Sequence, residues 1–394
     1  MTAKGDRGGG GQRYVALDSL RGIAACLVVI FHMPSDGRMW GTAFVQHGFL
    51  AVTFFFVLSG FVIGATYGER LGTGFPVRRF MLLRLGRIYP LHLFAIAVIF
   101  AWEILRLITG WPAFREGAAF TGNTDLGQLP YNILLLQKFA PYVNWNRPSW
   151  SIGIEWWTYL IFAVTIAGLG FRRKLYPTAA LLIVPAIIAR LLRIDPESGV
   201  GATIDCMMNF GLGLIVYQLH TAFRGGRHDA RLGRGVATVL EAATMILAVW
   251  LVSAFGGRLS PAIAPAFALV VAVFSLERGL VSRLLVVRPM LLLGELSYSI
   301  YMIHQFILDR GFDLLGLAAS GGSPLPRPHM EGRIVLTGDP VACDLYILAM
   351  LLIVIALSWF SYRVIETPAR LWSRRLVNHG RSAKVTPPDP TAAF

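Results

Sequence analysis

The chain has 394 residues, 55% of them hydrophobic and only 15% charged, with a mean hydropathy of +0.59. A water-soluble fold of this size could not hide so much apolar surface, so composition excludes a soluble enzyme or binding module and implies an all-α polytopic membrane protein. The net charge of +14 calls for no nucleic-acid partner, because basic loops on the inner side of a membrane account for it.

In chain order, residues 1–13 form a polar, Gly-rich stretch expected to be a disordered cytoplasmic tail. No cleavable signal is expected, since the first apolar run is too long and no small-residue cleavage site follows it. Ten apolar segments come next: 14–34, 48–68, 89–109, 149–170, 175–192, 203–222, 236–254, 261–276, 289–309 and 342–362. An even count returns the chain to its starting side. Two thirds of the 36 Lys and Arg then fall on that side, which predicts about ten transmembrane helices with both termini cytoplasmic. The run YNILLLQKF at 131–139 is too short to cross and is expected to be re-entrant or interfacial. Residues 14–372 read as one transmembrane domain, and 373–394 as a cytoplasmic, largely disordered tail. Cys26, Cys206 and Cys343 fall in or at the ends of spans and read as buried thiols, not a disulfide framework. No Walker-type loop, metal-spaced His/Cys cluster or long internal repeat is visible.

The first span, ALDSLRGIAACLVVIFHM, carries Asp18, Arg21 and His32. Ionisable groups in a span usually face a protein interior or an aqueous cavity. Arg21 and His32 are eleven residues apart, about 20° around a helix and about 16 Å along it. In the assigned orientation one stripe carries a cation near the inner end and an imidazole near the outer end, which suits a pathway between the two sides. The plainer readings are that Arg21 snorkels and pairs with Asp18, and that His32 is an interfacial residue.

LDSLRGIAACLVVIFH followed by FFFVLSGFVIG resembles the start of the acyltransferase-3 family, the membrane acyltransferases that modify bacterial surface glycans. The family's Arg, ten residues, His motif falls on Arg21 and His32, and its Arg-x-x-Arg on Arg84 and Arg87 in RRFMLLRLGRIYPLH. Its Trp-Ser-Leu-Ser-Ile-Glu pattern appears as PSWSIGIEWWTYL, which places the acid at Glu155. LGELSYSIYMIHQFIL resembles the Ser-Tyr-x-Ile-Tyr-x-x-His span, and SYRVIETPAR the closing Glu-x-Pro segment. The likeness covers about residues 14 to 372 with the motifs in order. Two departures bear on the shape of the acceptor site: Gly153 stands where Ser is usual, and Trp156-Trp157 where an acidic or Phe pair is more common. No esterase-like domain follows the membrane region, so transfer is expected to finish within this unit.

The resemblance implies a bacterial inner-membrane O-acyltransferase with cytoplasmic acyl-CoA, most simply acetyl-CoA, as donor and a glycan or lipid-linked glycan as acceptor. It implies neither a tightly bound cofactor nor a metal. His32 is the expected general base, since imidazole, with an ordinary pKa of about 6.5, accepts a proton at neutral pH. Glu155, at comparable depth, would orient that imidazole. Arg21 would guide the donor's lower part or its thioester carbonyl, and Arg84 and Arg87 would meet the CoA phosphates, for which the planar guanidinium is suited. Ser59, in VLSGF, suits close helix packing better than nucleophilic attack and is counted with Trp150 among substrate-binding candidates. His304 is expected to link helices, and His92 to lie near the inner boundary without a catalytic role. Eight of the ten Trp fall toward the outer side, which suits a platform for sugar rings. A transporter of a lipid-linked sugar or organic anion is the alternative; it fits the intramembrane charges but lacks visible repeated halves.

Overall fold

The computed structural model describes residues 13–111, 117–139, 144–169, 175–195, 197–224, 233–257, 263–318, 325–330 and 334–382. The expected spans are each met by a helix: α1 Val15–Phe31, α2 Gly48–Gly72, α3 Val77–Thr109, α4 Trp150–Leu169, α5 Leu175–Leu191, α6 Gly199–Arg224, α7 Arg234–Phe255, α8 Ala264–Phe274, α9 Arg288–Ala318 and α10 Pro340–Ser361. Seven helices among the described residues are long and apolar enough to cross a membrane, which makes this an all-α polytopic membrane protein. α1, α5 and α8 are not among the seven: α5 and α8 have shorter apolar runs, while α1 has 17 residues and carries Asp18 and Arg21.

Two boundaries differ from expectation for one reason: apolarity marks the part of a helix in lipid, not the whole helix. α3 begins at Val77, with Pro76 as N-cap, because the Arg-rich turns before residue 89 continue the same helix. His92 is therefore well inside α3 and not near its start. It is fully buried, and its Nε2 pairs with the Asn132 carbonyl at 2.8 Å. At the other end, a π-helical turn, Tyr362–Glu366, leads from α10 into α11, Thr367–Ser382. The tail expected from residue 373 is thus helical as far as Ser382; 383–394 lie outside the described residues, as do 1–12 of the N-terminal tail.

Helices in lipid gain little from hydrophobic association and rely on close packing, which small residues permit. α1 and α9 run parallel and touch through Gly22 and Gly294: a Cβ on Gly22 would strike the Leu293 backbone, and one on Gly294 would lie 2.6 Å from Asp18 O. α2 and α6 meet in the same way. A Cβ on Gly60 would strike the Phe210 carbonyl, and one on Gly213 that of Val57. The Ser59-Gly60 pair is indeed a packing point.

The 131–139 run does not cross. It forms a short helix, Leu129–Ile133, then turns through Leu135 at φ 59° and folds onto the start of α4. Gln137 Nε2 donates to Ser149 O at 2.7 Å, and Trp157 Nε1 donates to Leu135 O at 3.3 Å. A Cβ at position 153 would lie 2.7 Å from that same Leu135 oxygen. Gly153 and Trp157 are therefore one structural accommodation: glycine gives room to the carbonyl that the indole holds.

A two-stranded antiparallel hairpin, β1 Arg327–Met330 and β2 Ile334–Thr337, straps the segment after α1. Leu336 N donates to Pro34 O at 2.8 Å and Asp36 N to Leu336 O at 3.0 Å. Asp344 accepts from Arg38 N and Met39 N, and Trp40 Nε1 donates to Phe31 O. The end of α1 is thereby fixed from several directions.

Candidate active site

A cavity of about 570 Å³ runs between α1, α2, α3, α4 and α9, with α11 at one end. It lies within the size range usual for small-molecule sites. Its lining includes Arg21, Ser59, Arg84, Arg87 and Glu155, five of the seven residues singled out from the sequence.

One end is strongly basic. Arg13, Arg21, Arg84, Arg87, Arg370 and Arg374 line the cavity against only three carboxylates, Asp18, Glu155 and Glu295. Asp18 and Glu295 are engaged by Arg13 at 2.9 and 3.5 Å, and Asp18 also by Arg21 at 3.4 Å. Arg21 is fixed further by α9: its Nε donates to Ser297 Oγ at 2.8 Å and its Nη2 to Gly294 O at 3.1 Å. The Gly22–Gly294 contact, one residue away, is what brings those acceptors within reach. Arg84 donates to Tyr67 Oη at 3.2 Å and lies over the Tyr67 ring at 4.9 Å, while its Nε is buried without a partner. Arg87 and Arg374 have no ion pair among the described residues. An excess of guanidinium over carboxylate groups in a concave site attracts an anion and suits phosphate in particular.

Deeper in, the lining changes character. Tyr159 Oη donates to Glu155 Oε1 at 2.5 Å and lies 2.7 Å from Ser59 Oγ, so the serine hydroxyl donates in turn to the tyrosine. Glu155 and Tyr159 are four residues apart on α4, one turn, and Ser59 faces them from α2. Tyr298 Oη donates to Ile88 O at 2.5 Å, and Tyr301 Oη is 2.8 Å from Ser151 Oγ. Away from the basic end, Phe55 and Tyr301 line the cavity with their rings 5.8 Å apart and nearly perpendicular.

His32 is not among the lining residues, so the stripe that Arg21 and His32 share on α1 meets the cavity at Arg21 and not at the imidazole. Gly48 packs beside Phe31, so Val52, at the end of the cavity, lies about a turn further down α2 than the level of His32. His32 stands beyond that end, next to His304, with ring centroids 5.0 Å apart. His32 Nδ1 is 2.8 Å from Val28 O and His304 Nδ1 is 2.8 Å from Tyr301 O. A carbonyl only accepts, so in both neutral rings Nδ1 carries the proton and Nε2 the lone pair. His304 is fully buried and its Nε2 has no hydrogen-bond partner. Glu155, the carboxylate expected to orient His32, accepts a hydrogen bond from Tyr159 through Oε1.

Trp150 also lies off the cavity. It packs with Phe56, Ile154, Ala202 and Cys206, and Lys138 Nζ lies 5.3 Å from its ring. The outer tryptophans differ in setting: Trp145 is buried and stacked on Phe100, Trp102 and Trp111 contact each other edge to face, and Trp250 is exposed beside Phe255. Among the described residues no group of three His, Cys, Asp or Glu is placed to hold a metal ion.

Sequence reading assigned no role to Tyr159, to Ser297 and Tyr298, although these two open the Ser-Tyr-x-Ile-Tyr-x-x-His span, or to Arg370 and Arg374, which looked like ordinary inner-side charges. It also passed over Glu103 and Arg106, a buried ion pair of 2.9 Å whose carboxylate accepts from Phe120 N and Thr124 Oγ1 and so anchors the loop after α3. The Glu-x-x-x-Tyr spacing of Glu155 and Tyr159 on one helix face was the available signal.

The fold and site thus combine a multi-pass helical membrane protein, a basic-mouthed internal cavity and a partly buried carboxylate–tyrosine–serine chain. Comparison with known proteins defines the class: residues 14–363 match the acyltransferase domain family, and the chain belongs to it. It is an acyltransferase of the kind that transfers groups other than aminoacyl groups. It is 26% identical over 417 residues to the acyltransferase MdmB of Streptomyces mycarofaciens, with 96% of each chain covered. It is 31% identical over 188 residues to protein 2 in the picA locus of Rhizobium radiobacter, a match spanning 45% of this chain and 93% of that one. To the O-acetyltransferase OatA of Staphylococcus aureus it is 25% identical over 382 residues, covering 91% of this chain and 57% of the relative. No solved structure matches the chain.

Proposed function

We propose that the protein moves an acyl group, acetyl in the simplest case, from cytoplasmic acyl-CoA to a hydroxyl of a cell-envelope or exported glycan, from within the bacterial inner membrane with both termini cytoplasmic. The observation that carries this reading is the polarity of the cavity: the guanidinium groups of α11 and of the inner ends of α1 and α3 gather at one end, where a polyphosphate would enter, and the rest of the lining is mostly neutral. The nucleotide part of the donor binds among Arg84, Arg87 and their neighbours. Its pantetheine arm passes Arg21 and Tyr159, and the thioester arrives below the Phe55–Tyr301 pair. His32, beyond that pair, takes the proton of the acceptor hydroxyl. The hydroxyl oxygen bonds to the carbonyl carbon, the carbon–sulfur bond breaks, and CoA leaves as the thiol with the proton His32 received. Transfer therefore requires Phe55 and Tyr301 to part, with His304 held behind them.

Mass spectrometry of envelope polysaccharides from cells with and without the protein tests this reading, together with CoA release by the purified protein. Ester-linked acyl groups that require both the protein and His32 are expected. Unchanged glycans together with no CoA release in the presence of acceptor would refute it.

A further inference from the structure

Residues 373–382 of α11 were expected to belong to a disordered tail, yet the helix is clamped to α3 at Ser373. Gly86 lies between Arg84 and Arg87, and a Cβ there would strike the side chain of Ser373, which is only 5% exposed. Only glycine lets the two helices come so near. The contact has a consequence for charge: it brings Arg370 and Arg374, three residues before and one after Ser373, to the same cavity mouth as Arg84 and Arg87. Arg370 is held there by buried Glu366, at 2.7 Å, which Ser299 also contacts at 2.9 Å. Arg374 is exposed at the rim with no ion pair among the described residues. Leu371, Trp372 and Leu376 are about half exposed, an apolar surface suited to lipid. The helix thus presents apolar residues outward and two guanidinium groups inward, at the entrance.

We propose that α11 is part of the donor site, with Arg374 and Arg370 binding phosphate groups of the acyl carrier together with Arg84 and Arg87. The proposal rests on the acyl-CoA reading above and assigns this binding role to a helix beyond the matched family region, which ends at residue 363. Phosphate is the shared chemistry of CoA and of anionic lipid headgroups, and the test separates them.

Arg374→Gln is the informative variant. Arg370→Gln would strand the buried Glu366 carboxylate and perturb folding as well as binding. CoA, dephospho-CoA and pantetheine are titrated into the full-length protein in phosphatidylcholine nanodiscs, and again in discs containing phosphatidylglycerol. CoA binding is expected to weaken about three- to tenfold in Arg374→Gln and further in Arg374→Glu, as befits one partly solvated charged contact. Pantetheine binding stays unchanged. Equal CoA affinity in all three proteins would overturn the inference while leaving the donor reading intact, and so would a loss confined to the phosphatidylglycerol dependence. If the unsubstituted protein binds no CoA, the donor reading fails and this inference with it.

Discussion

The imidazoles of His32 and His304 face each other across the α1–α9 seam, their ring centroids 5.0 Å apart. Ten residues back along each helix, Gly22 and Gly294 bring the two backbones into contact. α1 and α9 are therefore paired in constant register. One end of the seam fixes Arg21 through Gly294 and Ser297, and the other fixes two rings with their Nδ1 protons on backbone carbonyls. The seam links the basic mouth to the far end of the proposed reaction path.

If His32 is the base, His32→Ala lowers acyl transfer at least about 100-fold, the usual weight of a positioned proton acceptor. CoA affinity stays unchanged, because the ring lies off the donor cavity. Turnover assays paired with CoA titration check both halves. Full activity in the variant would contradict the role, and lost CoA affinity would contradict the placement.

Tyr159→Phe keeps the ring but removes the hydroxyl joining Ser59 to Glu155. Turnover is expected to fall about tenfold or more, because Glu155 loses a charge-assisted hydrogen bond facing the cavity. Ser59→Ala removes only the outer member of the chain and should cost less than about fivefold. Abolition of activity by Ser59→Ala would instead identify Ser59 as a nucleophile.

Much of this arrangement was legible in the sequence. Each apolar run is met by a helix, seven of them among the described residues long and apolar enough to cross a membrane, and the Arg21–His32 spacing gave a helix with polar groups at both levels. What stayed hidden was the relation between helices. Nothing near Gly153 shows that the 131–139 run folds back to fill the space of its missing Cβ. Hydropathy could not find α11, whose role comes from the contact of Ser373 with Gly86 far away in the chain. Helical periodicity fixes an angle and a height for His32 but not where a passage stops. Phe55 and Tyr301 line the cavity, whereas His32 does not.

Gly153→Ala places a methyl 2.7 Å from Leu135 O and displaces the carbonyl that Trp157 holds. A loss of about 1–3 kcal/mol is expected, typical of overpacking. It would be seen as a lower thermal unfolding midpoint in detergent. Trp157→Phe, which frees that carbonyl to move, should make the glycine substitution less costly in a double-mutant cycle.

Gly60→Val forces α2 from α6 at a backbone contact that no side-chain rotamer can relieve. The expected result is a protein destabilised beyond that overpacking range, with Ser59 carried away from Tyr159. Thermal unfolding and the loss of activity should run together in this variant. In Ser59→Ala they should separate.

The account depends on an acyl donor lying in the cavity with its acyl end below Tyr301. Photo-crosslinking with a CoA thioester that carries a diazirine in the acyl chain, followed by peptide mass spectrometry, tests this most directly. Labelling at Val52, Phe55, Ser151 or Tyr301 that excess CoA suppresses is the predicted result. Labelling confined to the exposed helix faces, or labelling that CoA does not suppress, would contradict it.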